Sequence, residues 1–158
     1  YGEISGFATI FAGNKMYHTG KRIEKAKVAM QKCLDDANLS IHDVDLINAN
    51  GNSGDVSDLI EAKAIGELFE TGDKEIPVYA VKSVVGECYG ASGAMQTAAA
   101  VLSIHNSLVP PTINYEEKDP ECDVNITKEK QVRDINTALV NSFDLSGNNS
   151  CLVLKKYE

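Results

Sequence analysis

Two polar, glycine-punctuated loops hold the side chains best placed to do chemistry. The first, Ile47-Asn48-Ala49-Asn50-Gly51-Asn52-Ser53-Gly54-Asp55, presents Asn50 between small residues. The second, Val81-Lys82-Ser83-Val84-Val85-Gly86-Glu87-Cys88-Tyr89-Gly90-Ala91-Ser92-Gly93, presents Lys82 and Glu87. An Asn amide donates a hydrogen bond but cannot relay a proton, so Asn50 can polarise a carbonyl and cannot serve as an acid or base. Lys82 and Glu87 stand five positions apart, which predicts a partly shielded ion pair that holds the second loop in shape. Each loop follows a short strand-like run, and loops that follow strands of one α/β sheet collect at its carboxyl edge. Asn50, Lys82 and Glu87 are therefore expected to cluster. The alternative reading of Glu87 is a solvent-exposed loop acid.

Other chemistries find little support. Cys33, Cys88, Cys122 and Cys151 are far apart and form no CxxC pair, and His18, His42 and His105 share no ligand spacing with them, so no metal site is expected. Small buried thiols in a reduced, cytoplasmic protein are the simpler reading. Walker, dinucleotide-fingerprint, Gly-x-Ser-x-Gly and His-Glu-x-x-His patterns are absent from the sequence. The net charge of −8 makes nucleic acid a poor partner, because a phosphate backbone needs clustered Lys and Arg. With 43% hydrophobic and 24% charged residues the 158-residue chain reads as one globular domain, 1–158. It carries no signal-peptide pattern and no apolar run long enough to span a bilayer. It opens on a strand-like run without an initiator Met, which suggests a processed or split product, or a segment of something longer.

The elements that must position the two loops follow from periodicity. Glu3–Phe11, rich in Ile, Phe and Thr, predicts a strand. Gly20–Asn38 predicts an amphipathic helix through Ile23, Ala26, Met30, Cys33, Leu34 and Ala37. Asp43–Ala49 and Pro77–Val81 read as short strands. Asp55–Thr71 reads as a helix with Asp55 as N-cap and Asp58 in the first turn, where an acid suits the helix dipole. Gly90–Asn106 reads as a helix with small apolar residues on nearly every face, and His105 inside it is expected to be a packed core residue. Pro110-Pro111 stops that run, and Glu116–Asp123 is an acidic, solvated loop. Thr137–Phe143 and Cys151–Lys155 predict an antiparallel hairpin across Asp144-Leu145-Ser146-Gly147-Asn148-Asn149.

Strands alternating with helices, then a hairpin, predict an α/β layered fold with a mixed sheet. A helix apolar all round must be covered all round. Three helices and one small sheet offer too few layers to enclose Gly90–Asn106, so another polypeptide, or a further part of this one, is expected to pack over it.

Four segments, in order, resemble the C-terminal half of β-ketoacyl-acyl carrier protein synthases. They are Ile47-Asn48-Ala49-Asn50-Gly51 followed by Asp58-Leu59-Ile60-Glu61-Ala62-Lys63-Ala64-Ile65; Val81-Lys82-Ser83 with Gly86 and Gly90-Ala91-Ser92-Gly93-Ala94; Val109-Pro110-Pro111-Thr112-Ile113-Asn114 with Asp119-Pro120-Glu121-Cys122-Asp123; and Asn141-Ser142-Phe143 with Gly147, Asn148 and Leu152-Val153. The resemblance implies the C-terminal half of a thiolase-like fold: a mixed sheet with helices on both faces, which needs an N-terminal half to complete a layered α-β-α-β-α subunit. In that family the nucleophilic cysteine lies in the N-terminal half, and the C-terminal half supplies two histidines and a lysine. Lys82 matches the lysine. The histidine positions are occupied by Asn50 and Glu87.

The departures imply function. The two imidazoles of the family hold a malonyl thioester and stabilise its enolate, whereas an ionised Glu87 repels that developing charge. Glu87 also lies just before the Gly90 helix, whose dipole favours the ionised form. A glycine-rich turn gates the cysteine in active members. Here Asp144, Leu145, Ser146 and Gly147 stand in its place, which predicts a stiffer gate or an ordinary hairpin tip. Tyr1-Gly2-Glu3-Ile4-Ser5-Gly6-Phe7-Ala8-Thr9 and the Gly86-x-x-Tyr89 pattern are similar to chain length factors, catalytically silent partners of active ketosynthases. The resemblance thus implies a non-catalytic subunit half in polyketide or fatty acyl chain elongation, without cofactor or metal. It would partner an N-terminal ketosynthase half, an active ketosynthase and, through the complex, an acyl carrier protein. Two alternatives stand: an atypical 3-oxoacyl-acyl carrier protein synthase in which His105 or Lys82 replaces the missing groups, and a fragment without activity of its own.

Overall fold

The computed structural model describes residues 1–13, 19–69 and 75–157. His18 and the expected helical residues 70 and 71 lie outside them. Strand β1 (Glu3–Phe11) is followed by α1 (Thr19–Asp36), β2 (Leu46–Asn48), α2 (Asp55–Phe69), β3 (Val78–Tyr79), the short α3 (Lys82–Val85) and α4 (Ser92–Asn106). The chain then forms β4 (Leu108–Val109), β5 (Gln131–Val132), β6 (Thr137–Phe143) and β7 (Asn148–Lys155). β4 and β5 make a small antiparallel ribbon that the sequence pattern did not reveal. Among the described residues the other strands form one mixed sheet in the order β1-β7-β6-β2-β3. β7 runs antiparallel to both β1 and β6, whereas β2 lies parallel to both β6 and β3.

The register explains which face each residue buries. Along β6 and β7, Leu139, Cys151 and Val153 join one core cluster with Met30, Cys33 and Leu34 of α1 and Ala64 and Ile65 of α2. Their neighbours Ala138, Val140 and Leu154 join a second cluster with Ala100 and Ile104 of α4. Alternation along a strand puts successive side chains on opposite faces, so helices cover both sides of the sheet. β1 sits against α1 so closely that a Cβ on Gly6 would meet the Cys33 carbonyl oxygen and lie 2.8 Å from Ala37 Cβ. A register shift between Ile4 and Gly6 marks the same spot.

Three expectations need correction here. Asp55 is the first residue of α2 rather than its N-cap, and the turn before it is tied by Ser57 Oγ, which donates to Asn52 Oδ1 at 2.7 Å and to the Gly54 carbonyl at 3.0 Å. His105 is exposed, and Tyr1 meets its ring edge-on at a centroid distance of 4.4 Å. α4 turns Ser92, Gln96, Ala100, Ser103 and Ile104 inward, while Ala94, Met95, Ala98, Leu102 and His105 face outward. Its inner face is thus the more polar one, and its outer stripe is largely apolar, with Leu102 54% exposed. The cysteines are all free, but only Cys33 and Cys151 are buried; Cys88 and Cys122 are partly exposed.

Candidate functional site

The two loops leave the sheet at the same edge, because β2 and β3 are adjacent and parallel. The turn after β2 carries Asn50, and α3, directly after β3, opens with Lys82. Both side chains are buried, Asn50 to 2% exposure and Lys82 to 8%. Lys82 Nζ donates to Asn50 Oδ1 at 2.8 Å and pairs with Glu87 Oε2 at 2.9 Å. One ammonium thus joins residues from both loops, and Asn50, Lys82 and Glu87 form a contiguous cluster. Asn50 Oδ1 also accepts the Phe143 N–H at 3.2 Å, which ties the cluster to the end of β6.

Glu87 is exposed, with a side-chain exposure of 35%, as the loop-acid reading expected, but it is not free of partners. Its Oε1 accepts the Tyr89 N–H at 2.8 Å and a short hydrogen bond from the Ser92 hydroxyl, both at the approach to α4. The Ser92 hydroxyl outweighs the opposing effect of burial and, with Lys82 and the Tyr89 N–H, holds the Glu87 carboxyl below the usual carboxylate range. An ionised carboxylate therefore stands where the resemblance places an imidazole.

The hairpin between β6 and β7 is cross-tied. Asp144 accepts the Asn148 N–H at 2.8 Å and the Asn148 side-chain amide at 2.7 Å, and Gly147 N–H bonds the Asp144 carbonyl at 3.2 Å. Gly147 has φ +98°, a left-handed conformation that glycine adopts without strain. Burial opposes ionisation of Asp144, but the Asn148 side chain and the N–H groups of Asn148, Gly147 and Ser146 prevail and lower its pKa. Leu145 and Ser146 are exposed at the tip.

Residues to which sequence reasoning gave no part in the site complete the surroundings. Glu61 of α2 is buried at 3% exposure, and its carboxylate accepts the N–H groups of Asn50 (2.8 Å) and Gly51 (3.0 Å) and the Asn141 side-chain amide (3.0 Å). Burial pushes its pKa up. Asp58, one turn earlier, accepts the next two N–H groups, Asn52 at 3.1 Å and Ser53 at 3.0 Å. Gln96 of α4 is fully buried and donates to the carbonyls of Ala49 (2.9 Å) and Asn141 (2.8 Å). The available signal was each one's isolation: Glu61 is a lone acid in Leu59-Ile60-Glu61-Ala62, and Gln96 a lone amide in an alanine-rich helix. A cavity of about 560 Å³ opens on the α2 side, lined among others by Gly51, Asp58, Glu61, Lys82, Ser83 and Thr112. Among the described residues no three His, Cys, Asp or Glu side chains converge as a metal ion would require.

This combination, a thiolase-like mixed sheet with two strand-end loops meeting at one edge, is a ketosynthase half-fold. Residues 1–116 match the family described as beta-ketoacyl synthase, C-terminal domain, and the chain belongs to it. It is 39% identical to 3-oxoacyl-[acyl-carrier-protein] synthase 2 of Staphylococcus aureus over its whole length, covering 38% of that protein. It is 37% identical to nodulation protein E of Rhizobium sp. over 85% of the chain, covering 34% of that protein. Among solved structures, the ishigamide ketosynthase/chain length factor superposes with a TM-score of 0.87 at 29% identity, over 99% of this chain and 38% of that one. A type II polyketide synthase acyl-carrier protein in complex with its ketosynthase bound to the hexaketide gives 0.90 at 30% identity, over 100% and 39%. The chain thus spans well under half the length of these relatives.

Proposed function

We propose that this chain is the C-terminal half of a chain-length-factor-like subunit. It pairs with an active ketosynthase in polyketide or fatty acyl chain elongation and does not itself condense. An N-terminal half packs over the outer stripe of α4, and acyl groups reach the complex on an acyl carrier protein in the cytoplasm. The structural neighbours support this reading, since one is a ketosynthase/chain length factor and another a ketosynthase in complex with its acyl-carrier protein.

One observation carries it: the cluster at the loop edge contains no imidazole, and its ammonium is already committed to Asn50 and Glu87. Decarboxylative condensation needs donors aimed at a developing enolate. Glu87 opposes that charge, and Lys82 answers Glu87 rather than a thioester. Asn50, Lys82 and Glu87 act here as a structural latch in place of a catalytic group, and Asp144–Gly147 as a stiffened gate.

A second reading has its own support in the 39% identity to a 3-oxoacyl-[acyl-carrier-protein] synthase 2: the C-terminal half of an atypical condensing enzyme. Carbon dioxide release from malonyl carrier protein separates the two. Assembled with its N-terminal half, the chain is expected to release none above buffer, and installing histidine at Asn50 and Glu87 is expected not to restore release without the cysteine-bearing half. Release by the unaltered chain at more than background rate overturns the non-catalytic reading in favour of the second.

A further inference from the structure

We infer that Asn50-Gly51 is a self-modification site, at which the Gly51 backbone nitrogen attacks the Asn50 side-chain amide, closes a cyclic imide and expels ammonia. It is the only Asn-Gly step in the sequence. Glycine leaves the attacking nitrogen unhindered, because no Cβ stands beside it. Packing demands the same glycine, since a Cβ there would lie 2.6 Å from Ala80 Cβ and φ is +37°. An Asn-Gly step reacts this way at some rate in any flexible chain. Here the fold adds catalytic groups around the reacting atoms.

The Gly51 N–H points at Glu61 Oε2, 3.0 Å away, so a carboxylate stands ready to take its proton as general base. Burial raises the Glu61 pKa, which brings it nearer the neutral range in which a base works best. The Asn50 side-chain oxygen accepts from two donors, the Lys82 ammonium at 2.8 Å and the Phe143 N–H at 3.2 Å. Donors aimed at one carbonyl oxygen make its carbon more electrophilic and stabilise the oxyanion that forms on attack. Asn52-Ser53 in the same loop lacks half of this. The Ser53 N–H faces Asp58 at 3.0 Å, but the Asn52 oxygen receives only neutral donors, the Gly54 N–H at 3.2 Å and the Ser57 hydroxyl at 2.7 Å.

As Glu61 takes the Gly51 proton, the bond from Gly51 N to Asn50 Cγ forms. The Cγ–Nδ2 bond then breaks, and that proton leaves with the amino group as ammonia; nothing is oxidised or reduced. Water entering the cavity that Gly51 and Glu61 line adds across the imide and opens it to aspartate or isoaspartate at position 50. A carboxylate then replaces the neutral amide beside Lys82, whose ammonium is shared between that acid and Glu87. The protein thus recharges its own cluster with time.

The test is peptide mapping by mass spectrometry of the full chain, assembled with its N-terminal half and held at neutral pH, with the same chain unfolded in urea as reference. The peptide spanning Asn50-Gly51 is expected to become lighter by one ammonia and then to appear with water added, faster in the folded chain than in urea. Glu61→Gln removes the base and Lys82→Met the ammonium. Each is expected to slow the folded reaction about tenfold or more while leaving the rate in urea unchanged. Variants that react as fast as the unaltered folded chain overturn the inference. Should neither variant fold, the unaltered chain still decides, because reaction at Asn50 no faster folded than unfolded overturns it too. The readout is mass and not carbon dioxide release, so failure here is distinct from failure of the non-catalytic reading.

Discussion

The Lys82–Glu87 contact joins a buried ammonium to a carboxylate that is partly in water, with side-chain exposures of 6% and 35%. That asymmetry governs what each substitution does. Removing the lysine frees a carboxylate that water and the Ser92 hydroxyl still solvate. Removing the glutamate strands a buried ammonium on the Asn50 oxygen, and Glu87→Ala is expected to destabilise by about 2 kcal/mol, more than Lys82→Met, read from urea midpoints. The pH dependence follows from the lowered pKa of Glu87, caused first by the Ser92 hydroxyl. A carboxylate whose folded pKa is depressed adds stability above its ordinary value of 4.5 and loses it as pH falls through the folded value. Glu87→Gln removes that contribution. The stability gap between the unaltered chain and the Gln variant is therefore expected to be flat above pH 4.5 and to shrink below it, by on the order of 1 kcal/mol given the exposure. A gap that widens on acidification would contradict the pair.

At the scale of elements, the sharpest packing constraint is Gly6 of β1 against the last turn of α1. Gly6→Ala forces a methyl into the Cys33 carbonyl and is expected to cost about 1–3 kcal/mol with no change of fold, measured by denaturant unfolding. α4 gives a second test. Leu102→Glu on the outer stripe is expected to leave unfolding of the sheet core unchanged while abolishing association with the covering half in a co-purification assay. Ile104→Glu, buried against β6 and β7, is expected to unfold the chain. Much of this architecture was legible in the residues. β1 and β6 have the predicted bounds, because β-branched and aromatic runs between turn residues leave few other options. The apolar outer stripe of α4 was legible from its small residues, whereas its inner face, with Ser92, Gln96 and Ser103, is more polar than the run suggested. His105 was misplaced because an apolar run says nothing of which stripe a single residue joins; its register with Ala94, Ala98 and Leu102 puts it on the outside. The β4-β5 ribbon escaped notice because each strand has two residues, too few for any period to register. The three-way cluster was foreseeable from loops at one sheet edge. Glu61 was not, since a helix interior gives no sign of which distant backbone its carboxylate will meet.

At the scale of the whole molecule, the surfaces left open agree in one direction. Phe7 and Phe11 of β1 are more than half exposed, as is Leu102 of α4, and apolar faces of this extent are uncommon on a protein that works alone. The chain by itself is expected to associate and to melt at a lower temperature than in complex with its covering half; a well-behaved monomer by sedimentation would refute the need for that half. The strand order carries a further consequence, for synthesis. β1 pairs along its length with β7, from Glu3 with Lys155 to Phe11 with Asn148. β1 must therefore wait for β7, on the order of ten seconds at the pace of a ribosome. During that interval its backbone groups and both phenylalanines have no native partner in the sheet. The nascent chain is thus expected to engage chaperones before it assembles, and slowing translation anywhere between β1 and β7 is expected to lower its yield.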